Sequence, residues 1–258
     1  MSAPQAVEFY EEAAPARDEA VGAEAILRRL KGLDLPSEDG IPLETNWHRI
    51  QMNLLIDSVH HLWHDRQDYF VGGNMFIYFS AQQARNRDYR GPDFFVVKNT
   101  DGISDRDSWI VWEERGRYPD VIVELASPST IATDLGLKKR LYEQTFRTPE
   151  YFCYDPLARE LFGWRLDNGS YVRLRPDGSG RLRSRELGVR LGTWEGRFQR
   201  IPEIWLRFYT NDGQLVLTPN EAEARRAETE ARRAEAAEVE LDRLRSLLAA
   251  HGITDVQK

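Results

Sequence analysis

Residues 118–142 read YPDVIVELASPSTIATDLGLKKRLY, and the rest of the chain is organised around them. An apolar run, Val121, Ile122 and Val123, ends in Glu124 and meets a Ser-Pro turn. That order describes a buried strand whose far end carries one carboxylate into a cleft. Past the turn, Thr133 or Asp134 is placed to cap a helix expected over 133–146. Asp134, Lys138 and Tyr142 then recur every four residues along one face of it, so one lysine faces back toward the strand end.

A second acid lies upstream. Gly91-Pro92-Asp93 precedes Phe94, Phe95, Val96 and Val97. Proline fixes the entry, the next four residues suit a buried strand, and Asp93 sits at its mouth. Two strand-end acids and a nearby lysine are able to hold a divalent cation and a water. The cation bridges the carboxylates and stabilises charge on a phosphoryl oxygen, while the ammonium orients the water or the developing anion. The plainer alternative makes Asp93 a turn residue, Glu124 a strand end and Lys138 solvated helix surface.

The order GPD-FFVV, VIVELASPST, D-LGL-K-KRL-Y and TPEYFCYDP resembles the Uma-two family of restriction endonucleases, within the PD-(D/E)XK nuclease superfamily. The resemblance spans roughly residues 44–210 in pattern, with its specific motifs confined to 91–156. It implies a restriction-endonuclease-like fold, Mg²⁺-dependent (or Mn²⁺-dependent) phosphodiester hydrolysis of DNA, and Asp93 and Glu124 as metal acids. One departure stands out: the superfamily's lysine two residues after the acid is here Ala126, and the helical Lys138 takes its place. Helix side chains tilt toward the N-terminus, which here is the end nearest the turn, so a migrated lysine is physically reasonable. Pro119-Asp120 repeats the dipeptide of Pro92-Asp93 but stands on the same strand as Glu124, which favours Asp93. Glu44, just before the next helix, is a further candidate acid.

At 258 residues the chain can bury one substantial core and still carry an appendage. Its single cysteine, Cys153, excludes an internal disulfide. With no charged-then-apolar leader and no membrane-length apolar run, a cytoplasmic location is the expectation. The net charge of -7 is awkward for a nuclease, because tight nucleic-acid binders present a basic surface. Either the basic patch is local or substrate is held weakly.

Residues 1–22, rich in Ala, Glu and Pro, read as a disordered arm, and 23–31 as a short amphipathic helix stopped by Gly32. Over 46–65 the set Trp47, Ile50, Leu54, Val59, Leu62 and Trp63 tracks one helical face, with Thr45 or Asn46 as cap. His60 and His64 on that helix have metal-ligand spacing but lack a third ligand, so a solvated face is the better reading. YFVGGNMFIYFS at 69–80 suggests strand pieces broken at Gly72-Gly73, a bend rather than a phosphate cradle. Arg85, Arg87 and Arg90, with Tyr89 among them, are equally a solvated loop or phosphate contacts. From about residue 160, short alternating segments with turns at Asn168-Gly169, Pro176-Asp177-Gly178 and Asp212-Gly213 describe a β-rich extension. Its Trp164, Trp194 and Trp205 fill core more readily than they stack on bases.

Beyond Pro219 the segments EAEARRA, ETEARRA and EAAEVEL repeat with a seven-residue period and predict a long charged helix over 219–258. Ala234, Ala237, Leu241, Leu244 and Leu248 alternate in steps of three and four, a seam for self-association through residues 234–248. The expected architecture is therefore α/β: one domain over 23–218 with a mixed sheet flanked by helices, the β-rich extension, and a C-terminal helix or coiled coil. Its expected function is metal-dependent DNA cleavage by Asp93, Glu124 and Lys138. The alternative is an inactive nuclease fold acting as a binding or assembly module through its last helix.

Overall fold

The structure is a computed structural model, and it describes residues 45–85 and 91–251. Glu44, Arg87, Tyr89, Arg90, the expected arm over 1–22 and the expected helix over 23–31 lie outside the described residues.

The first described helix, α1 (Asn46–Leu62), opens at Thr45, whose hydroxyl accepts from the His48 amide at 3.1 Å. Strands β1 (Tyr69–Gly72), β2 (Ile77–Tyr78), β3 (Phe94–Lys98), β4 (Trp109–Ile110) and β5 (Val121–Leu125) follow, with a short helix α2 (Ala81–Arg85) after β2. The next helix, α3, runs through Ile131–Thr133, a π-helical stretch Asp134–Lys138, and Lys139–Gln144. Strands β6 (Glu150–Asp155), β7 (Glu160–Asp167), β8 (Ser170–Arg173), β9 (Leu182–Ser184), β10 (Val189–Phe198) and β11 (Ile201–Tyr209) lead to α4 (Pro219–Ala250).

A six-stranded mixed sheet runs in the order β1-β3-β5-β6-β7-β8, parallel only between β5 and β6. Alternation along its central strands sorts two apolar faces. Phe94, Val96, Val121 and Val123 join Met52, Leu55 and Val59 of α1 on one face. Phe95, Val97 and Ile122 meet Tyr142 of α3 and Phe146 on the other. The two helices thus cover opposite faces, as the sequence pattern leads one to expect.

The β-rich extension divides in two. β7 and β8 continue the main sheet, whereas β9, β10 and β11 form a second sheet that contributes Leu182, Leu191, Leu206 and Phe208 to the core beside α1. Gln51, fully buried on α1, ties the helix to β11: its side chain accepts from the Leu206 amide at 2.8 Å and donates to the Leu206 carbonyl at 2.9 Å. A buried amide satisfied on both sides avoids its desolvation cost and fixes the angle of the helix. The β10–β11 turn uses Gln199 and Arg200, both at positive φ (46° and 70°). Trp205 stacks on Trp47 with centroids 6.3 Å apart, and Trp164 stacks on Tyr151 at 5.5 Å, so both are packing residues. Trp194 packs against the buried cluster of Ile50, Leu54 and Trp205.

α4 starts on a capping box in which Thr218 and Glu221 exchange side-chain and backbone bonds. The buried Arg207 of β11 grips the same Glu221 with two bonds, 2.7 and 3.0 Å. Among the described residues, no helix is long and apolar enough to cross a membrane.

Candidate active site

The β3–β5 register pairs Phe94 with Val123, so the next pair outward is Asp93 against Glu124. Residues directly opposite in an antiparallel pair share a face, and here both reach the same end of the sheet. The Asp93 amide donates to Glu124 Oε2 at 3.4 Å, and the Leu125 amide donates to Asp93 Oδ2 at 2.7 Å.

Each flanking layer adds one arm. From α3, Lys138 Nζ stands 3.1 Å from Glu124 Oε2 and 2.9 Å from Asp134 Oδ1, while the Tyr142 hydroxyl donates to Glu124 Oε1 at 2.6 Å. The Asp134, Lys138 and Tyr142 face read from the sequence is therefore the face that meets the strand end. From α1, His48 Nε2 lies 2.7 Å from Asp93 Oδ1. A carboxylate only accepts, so the histidine Nε2–H is the donor.

Helix α3 departs from expectation at its start. It begins at Ile131 rather than after Thr133 or Asp134, so neither caps it. The Ser127 amide donates to Thr130 Oγ1 at 2.9 Å and the Ser127 carbonyl accepts from Ile131, which winds the first turn directly off Pro128. Asp134 consequently sits inside the helix, at the head of the π-helical stretch. Such stretches widen the spiral and occur often at functional sites.

The electrostatics follow from burial. Glu124 has no exposed surface; burial pushes its carboxyl up to about 8, Lys138 opposes the rise, and Asp93 and Asp134 add to it. Burial works against charge on Lys138 as well, yet Glu124, Asp134 and Asp93 together hold it above its usual value. Burial also tends to raise Asp93, but the His48 hydrogen bond and charge, then Lys138 and the Leu125 amide, bring it below its ordinary value. Three carboxyl groups thus share one ammonium and one histidine.

His48 was not among the residues singled out by sequence. It stands four residues before Met52, seven before Leu55 and eleven before Val59, on the core-facing stripe of α1. Its place on that apolar stripe is the sequence signal that could have found it, and the structure leaves it 7% exposed.

Other candidates lie apart from this corner. Asp120 is at the opposite end of β5, where its Oδ2 accepts from the Lys98 amide at 2.7 Å. His60 engages the Tyr69 hydroxyl through Nδ1 at 3.0 Å, and the exposed His64 lies against Asp65. A Cβ on Gly72 would stand 2.4 Å from the Phe95 ring, so that glycine serves close packing. A cavity of about 950 Å³ in the β3–β5 connection is lined by Asp68, Asp101, Arg106 and Glu114, and by none of His48, Asp93, Glu124, Asp134, Lys138 and Tyr142.

A family model described as "Putative restriction endonuclease" (Uma2) matches residues 39–199, more than half of the chain. The chain belongs to the Uma2 family. Membership supports a nuclease, that is, a hydrolase acting on nucleic acid. Among solved structures, the chain is similar to "a putative nuclease belonging to DUF820 from Anabaena variabilis ATCC 29413". Identity is 15%, 62% of this chain and 89% of that chain are covered, and the TM-score is 0.41. At that score the likeness carries no argument about residues or chemistry. No curated protein matches the chain.

Proposed function

We propose that this Uma2 protein is a Mg²⁺-dependent endonuclease of DNA, with Mn²⁺ as a substitute, acting through Asp93, Glu124 and Lys138. The observation that carries the proposal is the meeting of two strand-end carboxylates and one helix ammonium at a single corner.

The donor set fits a hard cation. Among the described residues no group of three or more His, Cys, Asp or Glu side chains has metal-holding geometry, so no closed protein cage is offered. Mg²⁺ is ordinarily bound through one or two carboxylates, with waters and substrate phosphates completing its shell. Asp93 and Glu124 would hold it. When bound, the cation supplies Lewis acidity at a phosphoryl oxygen and makes a water more acidic.

The protein's own groups do the rest. His48 and the Leu125 amide fix both oxygens of Asp93, and Tyr142 fixes Glu124. Asp134 holds the Lys138 side chain in place, so its ammonium orients a water or meets charge developing on the phosphate. Lys138 supplies from the helix the cation that Ala126 cannot supply from the strand. With a net charge of -7 and a single lysine at the corner, itself paired with Glu124 and Asp134, DNA is held weakly and transiently.

The test is to incubate the purified protein with single-stranded DNA, double-stranded DNA and RNA in Mg²⁺, Mn²⁺ or EDTA. DNA should be cut in either metal and remain intact in EDTA. RNA cleaved in preference to DNA would change the substrate; no cleavage together with no calorimetric Mn²⁺ binding would sink the proposal in favour of an assembly module.

A further inference from the structure

From Glu223 to Ala250 every residue of α4 is exposed. That is about 42 Å of helix at 1.5 Å per residue, free of the globule after its anchorage by Thr218, Glu221 and Ala222. Its first half is Ala, Glu and Arg, which a solvated helix tolerates through its own ion pairs, such as Arg232 with Glu228. The second half is different. Leu241, Leu244, Leu247 and Leu248 stand 39–47% exposed, four leucines within eight residues of a helix with no neighbour there among the described residues.

Ala234, Ala237, Leu241, Leu244 and Leu248 form one continuous seam at three-four spacing. The positions flanking the seam identify what covers it. In a parallel pair of identical helices in register, Arg233 of one copy faces Glu238 of the other, and Glu240 faces Arg245. Two-fold symmetry repeats both pairs, so all four contacts join opposite charges. An antiparallel pair that keeps the leucines together, with Leu241 against Leu244, sets Glu238 against Arg245 but leaves Glu240 facing Leu247. Glu240 and Arg245 now bond Arg243 and Asp242 within their own helix, as exposed pairs of the weak class. Leu247 lies beside the seam and broadens it; Val239 falls outside it.

We propose that residues 234–248 form a parallel, in-register two-stranded coiled coil with a second copy of this chain. Because α4 leaves each globule at its N-terminal end, the two globules sit at the same end of the shared stem.

The test uses the full chain at tens of micromolar. Light scattering should give about 60 kDa, twice the 29.9 kDa chain. Leu241→Glu with Leu244→Glu should return the mass to that of one chain without shifting the thermal melt of the globule, since both side chains are exposed. Glu240→Arg should weaken dimerisation by about tenfold, and adding Arg245→Glu should restore it. Leu248→Cys adds one accessible thiol, because Cys153 is buried. Under oxidation it should link two copies, since identical positions face each other only in the parallel register. A single-chain mass for the unaltered protein, a dimer that survives the leucine substitutions, or a dimer that Leu248→Cys does not link would each overturn the proposal.

Discussion

The chain contains the dipeptide Pro-Asp at both ends of one strand pair, and the two copies behave differently. Asp120 stands just before β5 and caps the end of β3, accepting from the Lys98 amide. Its burial raises the carboxyl, and the nearby Lys98 ammonium is itself engaged by Glu186. Asp93 stands just before β3 and likewise accepts one backbone amide, that of Leu125. There, however, α1 delivers His48 and α3 delivers Lys138 beside Glu124, and the carboxyl is lowered. The same dipeptide is a structural cap at one end and part of a charged corner at the other. What separates them is the convergence of three layers at one strand end.

Glu124→Gln should sharpen that difference most. It removes the charge of a proposed metal ligand at nearly constant volume, so cleavage should fall by roughly 10³-fold or more while the fold persists. Steady-state rates alongside a thermal melt check this; retained cleavage would make the corner structural, like the Asp120 end. Lys138→Ala comes next, with turnover down by roughly 10²-fold and Mn²⁺ binding by calorimetry largely kept. If Lys138→Ala instead abolished metal binding with turnover to match, the lysine would be holding the acids rather than serving the chemistry.

His48→Ala tests the arm that has no counterpart at the Asp120 end. If Asp93 is the metal ligand proposed above, losing the donor that orients it should cost about 10–100-fold in metal affinity or activity. His48→Gln, which keeps an N–H at similar reach, should recover part of that loss, whereas equal losses in both would point to packing.

The smallest effect is on stability against pH. Between about 4.5 and about 8 the folded protein holds the Glu124 proton more tightly than the unfolded chain does. The native state therefore binds more protons in that window, and unfolding free energy falls as pH rises through it. Denaturant melts at pH 5 and pH 8.5 should show the wild type losing on the order of 2 kcal/mol relative to Glu124→Gln. Parallel curves for the two proteins would mean that the carboxylate is stabilised as fully as an exposed one.

Much of this frame is legible in the sequence because buried strands announce themselves. FFVV and VIV are continuous apolar runs, and the acids that bound them, Asp93 and Glu124, inherit their positions from the strands. Lys138 and Tyr142 are legible through helical spacing, which survives the π-helical stretch between Asp134 and Lys138. His48 escaped notice because its role depends on a contact 45 residues away in the chain, and only the apolar stripe around it hints at burial. The Gln199-Arg200 turn is silent for a different reason: neither residue favours positive φ, so the long β10–β11 pairing imposes the turn. β7 and β8 read as part of an appendage because local turn signals cannot say which sheet a hairpin joins.

The most direct test sets the two Pro-Asp ends against each other: DNA cleavage rates in Mg²⁺ for Asp93→Asn and Asp120→Asn, measured side by side below both melting temperatures. Asp93→Asn should lose roughly 10³-fold or more. Asp120→Asn should cleave within about threefold of wild type while costing about 1 kcal/mol of stability through its weakened cap on Lys98. Equal losses in the two variants, or an active Asp93→Asn, would contradict the account.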